Sequence, residues 1–198
     1  MTSIHAVSQP FYLWRQWAIA DQDRCSLRLR SYSDWNTSFI WSQGVTVASC
    51  PCEDDNHVAP AAECRCGIYG YATYQDLLIA SFAGYTIDAV FGVIQCYGKI
   101  HIHQSGARVQ YARPISLFLP PAVAHNFSVV SIKEMVSFYG TTLEIIEPST
   151  LWKFVKNNPT VYPVVCPPVS LSTFSVQEQS INYTGLFSDF VIPLDSQY

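Results

Sequence analysis

Charge is scarce in this sequence, and so are long apolar runs. Charged residues make up 13% of the 198 residues, about half the usual share, and the net charge is −4. That balance argues against broad electrostatic binding to nucleic acid, which needs a basic face. No stretch approaches about 18 consecutive uncharged apolar residues, so we expect no membrane span. The surface must then be largely neutral and polar, or partly covered by a partner.

Signals for secretion and for familiar kinds of catalysis are also missing. The start, MTSIHAVSQPFYLWRQW, has no basic region followed by an apolar one. The seven cysteines of the chain therefore indicate a reducing compartment, and we expect a cytoplasmic protein. No nucleophile-elbow, Walker, Rossmann or H-E-x-x-H pattern occurs. Cys96 and His101 could form a thiol–imidazole pair, but their odd spacing on one predicted strand points them to opposite faces.

What the chain does contain is a large apolar fraction arranged mainly as strands. With 49% hydrophobic and 14% aromatic residues, residues 1–159 are predicted to form one β-rich globular domain. Ile87–His103 and Arg108–Leu119 form the clearest pair, a hairpin whose turn can use Gly106 at positive φ. Pro114 predicts an edge or a bulge in the second strand. Alternation predicts further strands at residues 11–20, 25–32, 39–41, 45–48 and 142–146.

Helical spacing of apolar residues is found in three short segments. They are Tyr74–Phe82, Ser131–Tyr139 and Ser149–Lys156. Gly92 and Gly98 interrupt the first strand of the hairpin, as a bulge or tight bend in a curled sheet would require. We therefore predict a mainly-β (α+β) domain, built as a curled sheet or small pseudo-barrel with about three short helices.

The segment ASCPCEDDNHVAPAAECRCGIYGY, residues 48–71, concentrates thiols around one imidazole. Zinc prefers four such ligands in a tetrahedron. The polar sequence between the thiols has no core of its own, and a metal would supply the folding energy that burial does not. The segment therefore predicts a zinc-clasped loop. Its expected ligands are Cys50, His57, Cys64 and Cys66, with Cys52 as a substitute.

Two other interpretations of this segment stay open. A disulfide between Cys50 or Cys52 and Cys64 or Cys66 is geometrically easy, although a cytoplasmic setting disfavours it. Alternatively, the thiols are buried separately and behave as small hydrophobic side chains. A catalytic zinc of the deaminase type is not indicated, because the H-x-E and P-C-x-x-C pattern is absent.

The predicted hairpin carries a second group of polar residues. His101 and His103 lie on the same face of one strand, and Arg108 lies across the hairpin. These three side chains could bind a small ligand, with Arg108 contacting an anionic group. They could instead form an exposed hairpin tip whose polar groups are satisfied by solvent.

The N-terminal strands mix arginine with tryptophan. This combination suits single-stranded nucleic acid or a nucleotide, because bases stack on aromatic rings beside cationic groups. Arginine side chains lying over a core sheet produce the same pattern. The residues concerned are Arg15, Arg24, Arg28, Arg30, Trp14, Trp17 and Trp35.

Two blocks of the chain form a composite motif. The first is Ala48-x-Cys50, His57-x-Ala59-Pro60 and Cys64-x-Cys66-Gly67-Ile68-Tyr69; the second is Val90-x-Gly92-x5-Gly98-x4-His103-x2-Gly106-x-Arg108, with Ala112 downstream. Over roughly residues 10–120 the chain thereby resembles small uncharacterised bacterial proteins, many of them actinobacterial. Gly70 stands where those proteins usually have alanine, and Cys52 is an extra. The resemblance implies a shared architecture and brings no established activity.

Two classes of function follow from these features. The first is a zinc-stabilised binding or adaptor module that engages a partner protein or a nucleic-acid element. A small pseudo-barrel of the PUA or ASCH kind fits the order of elements, by analogy of fold alone. The second is an enzyme acting on a small anionic or nucleotide substrate through His101, His103 and Arg108.

The last part of the chain, residues 160–198, is rich in apolar residues without a sustained helical or strand period. A solvated tail would not carry that much apolar surface, and a packed element would show periodicity. We predict an extended arm that packs on the domain or on a second protein, with Tyr183–Ile192 as its anchor.

Overall fold

A computed structural model describes residues 4–22, 26–31, 39–50, 52, 57–82 and 89–157. Its strands are β1 (Ile4–Gln22), β2 (Ser26–Ser31), β3 (Thr46–Val47), β4 (Ile68–Tyr71), β5 (Ala89–His103), β6 (Gly106–Leu119) and β7 (Thr142–Ile145). Its helices are α1 (Tyr74–Phe82), α2 (Pro121–Ala124), α3 (Val129–Tyr139) and α4 (Pro148–Asn157). The prediction of a mainly-β α+β fold is confirmed.

One seven-stranded sheet carries the fold. β5 lies between β1 and β6 and is antiparallel to both, while β2 extends the sheet beyond β1. The other edge of β6 is shared by three short strands: β4 pairs with residues 106–109, β3 with 111–112 and, in parallel, β7 with 116–119. β4 also pairs with β1, but only through Trp14 and Tyr71. Because this contact is a single residue pair, the sheet curls without closing into a true barrel.

The long hairpin β5–β6 is bent at two bulges, as the glycine and proline positions predicted. The register shifts between Tyr97 and Ile100, where Gly98 has φ +81°. It shifts again between Val93 and Ile94, opposite Pro114. These irregularities let a strand pair of this length curl.

The expectation that Gly106 provides positive φ in the turn is wrong. Positive φ is found at Gly44, Gly67, Gly98 and Gly140 among the described glycines, and Gly106 is instead the first residue of β6. A Cβ atom at Gly106 would lie 2.0 Å from the carbonyl oxygen of Gly70. Glycine is therefore needed here because the backbone of β4 approaches that of β6 so closely.

The helices follow the apolar spacing of the sequence. α1 has the predicted bounds, and α4 extends one residue further at each end. α3 begins two residues earlier than expected, because the Ser128 hydroxyl accepts a hydrogen bond from the Ser131 N–H and caps the helix. It ends at Gly140, which has φ +60°. The additional α2 is a single turn after the Pro120-Pro121 break.

The core lies on the two faces of the curled sheet. The larger apolar cluster contains Trp17, Trp41 and Met135, so it joins β1, the segment before β3 and α3. The Tyr139 hydroxyl strengthens this junction, since it accepts from the Leu29 N–H at 2.9 Å and donates to the Trp41 carbonyl oxygen at 3.2 Å. The smaller cluster packs α1 and α4 against the sheet.

Several predictions concern residues outside the ranges that the structure describes. The extended arm of residues 160–198, with its anchor Tyr183–Ile192, lies outside the described residues, as do Arg24 and Trp35. Within the described part of the chain, none of the helices has the length and apolar character needed to cross a bilayer.

Candidate metal centre

The structure brings together the four ligands that the cysteine-rich segment predicted. The side-chain ligand atoms of Cys50, His57, Cys64 and Cys66 all lie within 4.8 Å of one another and could hold a metal ion. The Cys50 and Cys64 sulfur atoms are 3.6 Å apart, and His57 Nε2 is 3.1 Å from Cys66 Sγ. Cys52 stays outside this group, although its sulfur is 3.7 Å from that of Cys64.

The Cys50–Cys64 distance is close to that of tetrahedral coordination. A zinc–sulfur bond of about 2.3 Å implies sulfur atoms about 3.8 Å apart across one edge of a tetrahedron. All four cysteines of the segment are free thiols, so the disulfide interpretation is not observed. Separate burial does not describe them either, because Cys66 alone is buried, Cys50 and Cys64 are half-buried and Cys52 is exposed.

The two halves of the cluster are positioned by neighbouring strands on one edge of β6. Cys50 follows β3, where the Ala48 N–H donates to the Gln110 carbonyl oxygen at 2.7 Å. Cys64 and Cys66 lie just before β4. Because β3 and β4 pair with adjacent stretches of β6, the two ends of the segment meet at the same place.

Gly67 is required by the sharp turn from the cluster into β4. Its φ is +121°, a conformation that residues with a Cβ rarely adopt. A Cβ atom there would also lie 3.0 Å from the Arg108 Cβ and 3.1 Å from the Pro60 Cβ. The glycine thus lets the Cys64–Cys66 backbone lie directly against the Arg108 side chain.

Arg108 holds the cysteine turn in place. Its Nη1 donates to the carbonyl oxygens of Cys64 and of Cys66, the latter at 3.0 Å, and its Nη2 donates to His101 Nδ1 at 2.8 Å. The side chain is only 4% exposed. No carboxylate lies within ion-pair distance of this guanidinium among the described residues, so its positive charge is buried without an acidic partner.

Arg15 plays a matching role one strand away. Its Nη1 donates to the Tyr69 carbonyl oxygen, its Nη2 donates to Ser31 Oγ at 2.9 Å, and the guanidinium lies 5.0 Å from the Trp41 ring centre. Burial lowers the pKa of Arg15 to about 10, partly offset by Cys96 and Tyr71. Two buried guanidinium groups therefore hold carbonyl oxygens of the Cys64–Tyr69 segment.

The two hairpin histidines lie beside this arrangement. His101 is 5% exposed, and because its Nδ1 accepts from Arg108, the proton of the neutral ring is on Nε2, which has no partner. The His103 ring stacks on Tyr69 with centres 5.6 Å apart. Burial, followed by the charge of Arg108, lowers the pKa of both histidines, which favours neutral rings.

These contacts bear on one of the alternatives left by the sequence. An exposed hairpin tip is wrong for His101 and Arg108, which are buried. The three side chains do lie together, but Arg108 uses both terminal nitrogens on protein acceptors. In this conformation Arg108 braces the cysteine turn. Of its guanidinium nitrogens, the buried Nε lacks a hydrogen-bond partner.

The thiols of the cluster differ in pKa. Burial acts to raise the pKa of Cys64, but hydrogen bonds from the Cys66 N–H and from the neighbouring thiols outweigh it and lower the value to about 6. Burial raises the pKa of Cys66 to about 11. Hydrogen bonds with Cys50 and Cys64 raise that of the exposed Cys52 to about 12. A metal ion must therefore displace the Cys66 proton, since metals bind thiolates.

Among the described residues of the N-terminal strands, the arginines and tryptophans do not form a surface patch. Trp14 and Trp17 are buried in the core, and Arg15 is buried beneath the cysteine segment. The Arg28 guanidinium carbon lies 3.8 Å from the centre of the Phe138 ring, a cation–π contact within the protein. These tryptophan rings are not available to stack on bases.

Sequence reasoning missed two parts of the site. One is β4, whose alternation of buried and exposed residues is visible in Ile68–Tyr71 but is too short to identify without its partner strand. The other is Arg15 as a second brace, for which the sequence carries no signal because its acceptor is a backbone carbonyl group.

No family model matches the chain, and no curated protein or solved structure matches it either.

Proposed function

We propose that this chain is a small cytoplasmic binding module whose β-rich fold is stabilised by one zinc ion bound to Cys50, His57, Cys64 and Cys66. The observation that carries the proposal is the convergence of four ligand atoms within 4.8 Å beside a buried arginine. Three thiols and one imidazole are a ligand set typical of structural zinc sites.

Charge supports the same assignment. Three thiolates around a divalent ion leave a net charge of −1 on the centre. Arg108 is buried against the Cys64 and Cys66 carbonyl groups without an acidic partner among the described residues. An unpaired buried cation costs several kcal/mol, so a negatively charged metal centre next to it would stabilise the fold.

A structural role for the ion fits better than a catalytic one. Four protein ligands complete a tetrahedron, whereas catalytic zinc sites keep one position open for water or substrate. The alternative of an enzyme using His101, His103 and Arg108 has less support, because Arg108 is engaged by protein acceptors.

A protein partner is supported by the surface around the centre. Val47, Val58 and Tyr69 are exposed on β3, on the metal loop and on β4. Few charges are available to solvate the molecule, since they make up 13% of the residues. Exposed apolar side chains on these elements suit contact with another protein better than contact with a polyanion.

Elemental analysis of the purified full chain tests the metal. We expect one zinc per chain, and the Cys66→Ser variant should lose it because Cys66 is the buried thiol of the ligand set. Native mass spectrometry should show the mass of one ion, and a chelator should lower the melting temperature.

Cys52→Ser is the matched control, because it removes a thiol of the same segment that lies outside the four-ligand group. It should keep one zinc per chain. Wild-type protein without metal, with a melting temperature that neither chelator nor added zinc changes, would overturn the proposal.

A further inference from the structure

The cysteine segment contains one thiol more than a four-coordinate metal needs. Cys52 is exposed, and its sulfur lies 3.7 Å from that of the half-buried ligand Cys64. The Cys52 backbone N–H donates to Cys50 Sγ at 3.4 Å, which holds this residue beside the cluster. A thiol placed in this way is a second sulfur within reach of a metal ligand.

We propose that Cys52 and Cys64 form a reversible thiol–disulfide pair, so that oxidation by hydrogen peroxide withdraws Cys64 from the metal. The proposal rests on the proposed zinc centre for its consequence, metal release. The formation of the disulfide itself depends only on the two sulfur positions.

The sulfur–sulfur distance permits this pair, and the exposure of Cys52 distinguishes it from the other thiols of the segment. A disulfide bond is about 2.05 Å long, so the two sulfur atoms need to approach by about 1.6 Å. Cys50 is as close to Cys64, at 3.6 Å, but both of these residues belong to the four-ligand group. Cys52 is the exposed thiol outside that group, whereas Cys96 is fully buried in the core.

The chemistry balances with hydrogen peroxide as the oxidant. The Cys64 thiolate attacks one peroxide oxygen, the O–O bond breaks, and the departing hydroxide takes up a proton to become water. Cys64 is now a sulfenic acid. The Cys52 sulfur attacks the Cys64 sulfur, the S–S bond forms, the S–O bond breaks, and the second water leaves with the thiol proton. Two thiols are oxidised to one disulfide, and one peroxide is reduced to two waters.

Loss of the Cys64 sulfur leaves three of the four ligands. Zinc should then dissociate, and a dithiol reductant should restore both thiols and the site. Without Cys52, the Cys64 sulfenic acid has no exposed thiol of this segment to react with and continues to the sulfinic acid, which thiols do not reduce.

The test uses the full chain loaded with zinc. After treatment with hydrogen peroxide, released zinc is measured with a chromogenic chelator and disulfides are mapped by peptide mass spectrometry. Wild-type protein should release about one equivalent, show a Cys52–Cys64 disulfide and rebind zinc after dithiothreitol. Cys52→Ser should show no such disulfide and rebind at least about fivefold less zinc. Cys96→Ala should behave like wild type.

A wild-type map without the Cys52–Cys64 disulfide would overturn the inference. Equal zinc recovery in wild type and Cys52→Ser would overturn it as well. If the purified chain carries no zinc, the proposed function fails, and the same peptide map on that metal-free protein still decides whether the two thiols pair.

Discussion

Arg108 donates hydrogen bonds to the carbonyl oxygens of two metal-ligand candidates, Cys64 and Cys66, and to a ring nitrogen of His101. The cysteine segment and the hairpin are separate blocks in the sequence, yet these contacts join them into one unit. A single planar guanidinium reaches all three acceptors, which a lysine could not do with one ammonium group. The residue would act on a bound metal through the backbone that carries the candidate ligands.

Replacement of Arg108 by glutamine should therefore weaken zinc binding. We expect about 10- to 100-fold lower affinity, the usual effect of losing an outer-shell contact, and an intermediate loss for Arg108→Lys because that change keeps the charge. Competition with a chromogenic chelator measures the affinity. Arg113→Gln is the control, since Arg113 is an exposed arginine of the same strand that donates to Gln95. Equal affinities of Arg108→Gln and Arg113→Gln would contradict this role.

At the level of elements, β6 organises both the fold and the candidate site. One edge pairs with β5 along its length, and the other edge receives β4, β3 and β7 in turn. The metal loop connects β3 with β4, so both of its ends are fixed on the same strand. In the proposed zinc-bound form, the metal would contribute further folding energy between these ends.

Gly106→Ala should separate β4 from β6. The new Cβ would lie 2.0 Å from the Gly70 carbonyl oxygen, an overlap that only a backbone shift can relieve. We expect the free energy of unfolding in urea to fall by about 3 kcal/mol. Gly140→Ala provides the comparison, because that Cβ meets nothing within 4 Å and only the φ of +60° is strained. It should cost about 1 kcal/mol. Equal losses of unfolding free energy in Gly106→Ala and Gly140→Ala would contradict the close approach of β4 to β6.

At the scale of the whole molecule, the low charge and the apolar residues 160–198 point to an assembly. Only 13% of the residues are charged, so apolar surface has few charges to keep it in solution. The sequence predicts that Tyr183–Ile192 anchors the arm. This prediction concerns residues beyond the described part of the chain, and it needs a test on the intact protein.

Deletion of residues 160–198 should leave a folded, zinc-containing domain that no longer captures its partner in a pull-down. Phe190→Ser in the full chain should have the same effect, whereas Phe174→Ser, outside the anchor, should not. If the truncated chain unfolds in circular dichroism, the arm belongs to the core of the domain. If truncated and intact chains recover the same proteins, the idea of a partner bound through the arm is wrong.

The sequence alone determined those features that depend on local pattern. The spacing of Leu77 and Leu78 predicted α1 with its observed bounds, and the β-prone runs on either side of the turn predicted the β5–β6 hairpin. The ligand set Cys50, His57, Cys64 and Cys66 was also predictable, because metal ligands close in sequence need only a short loop to converge.

Only the tertiary structure decided what depends on distant backbone groups. Arg108 and Arg15 bind carbonyl oxygens, which every residue possesses, so no residue type along the chain marks their acceptors. Gly106 is needed because the backbone of β4 comes within contact of β6, not because of its own φ. The tryptophans that suggested a surface for bases are buried in two different clusters, Trp17 against Trp41 and Trp14 against Tyr74 of α1. Alternation and spacing specify which side chains share a face, but the sheet's pairing and curvature determine what that face meets.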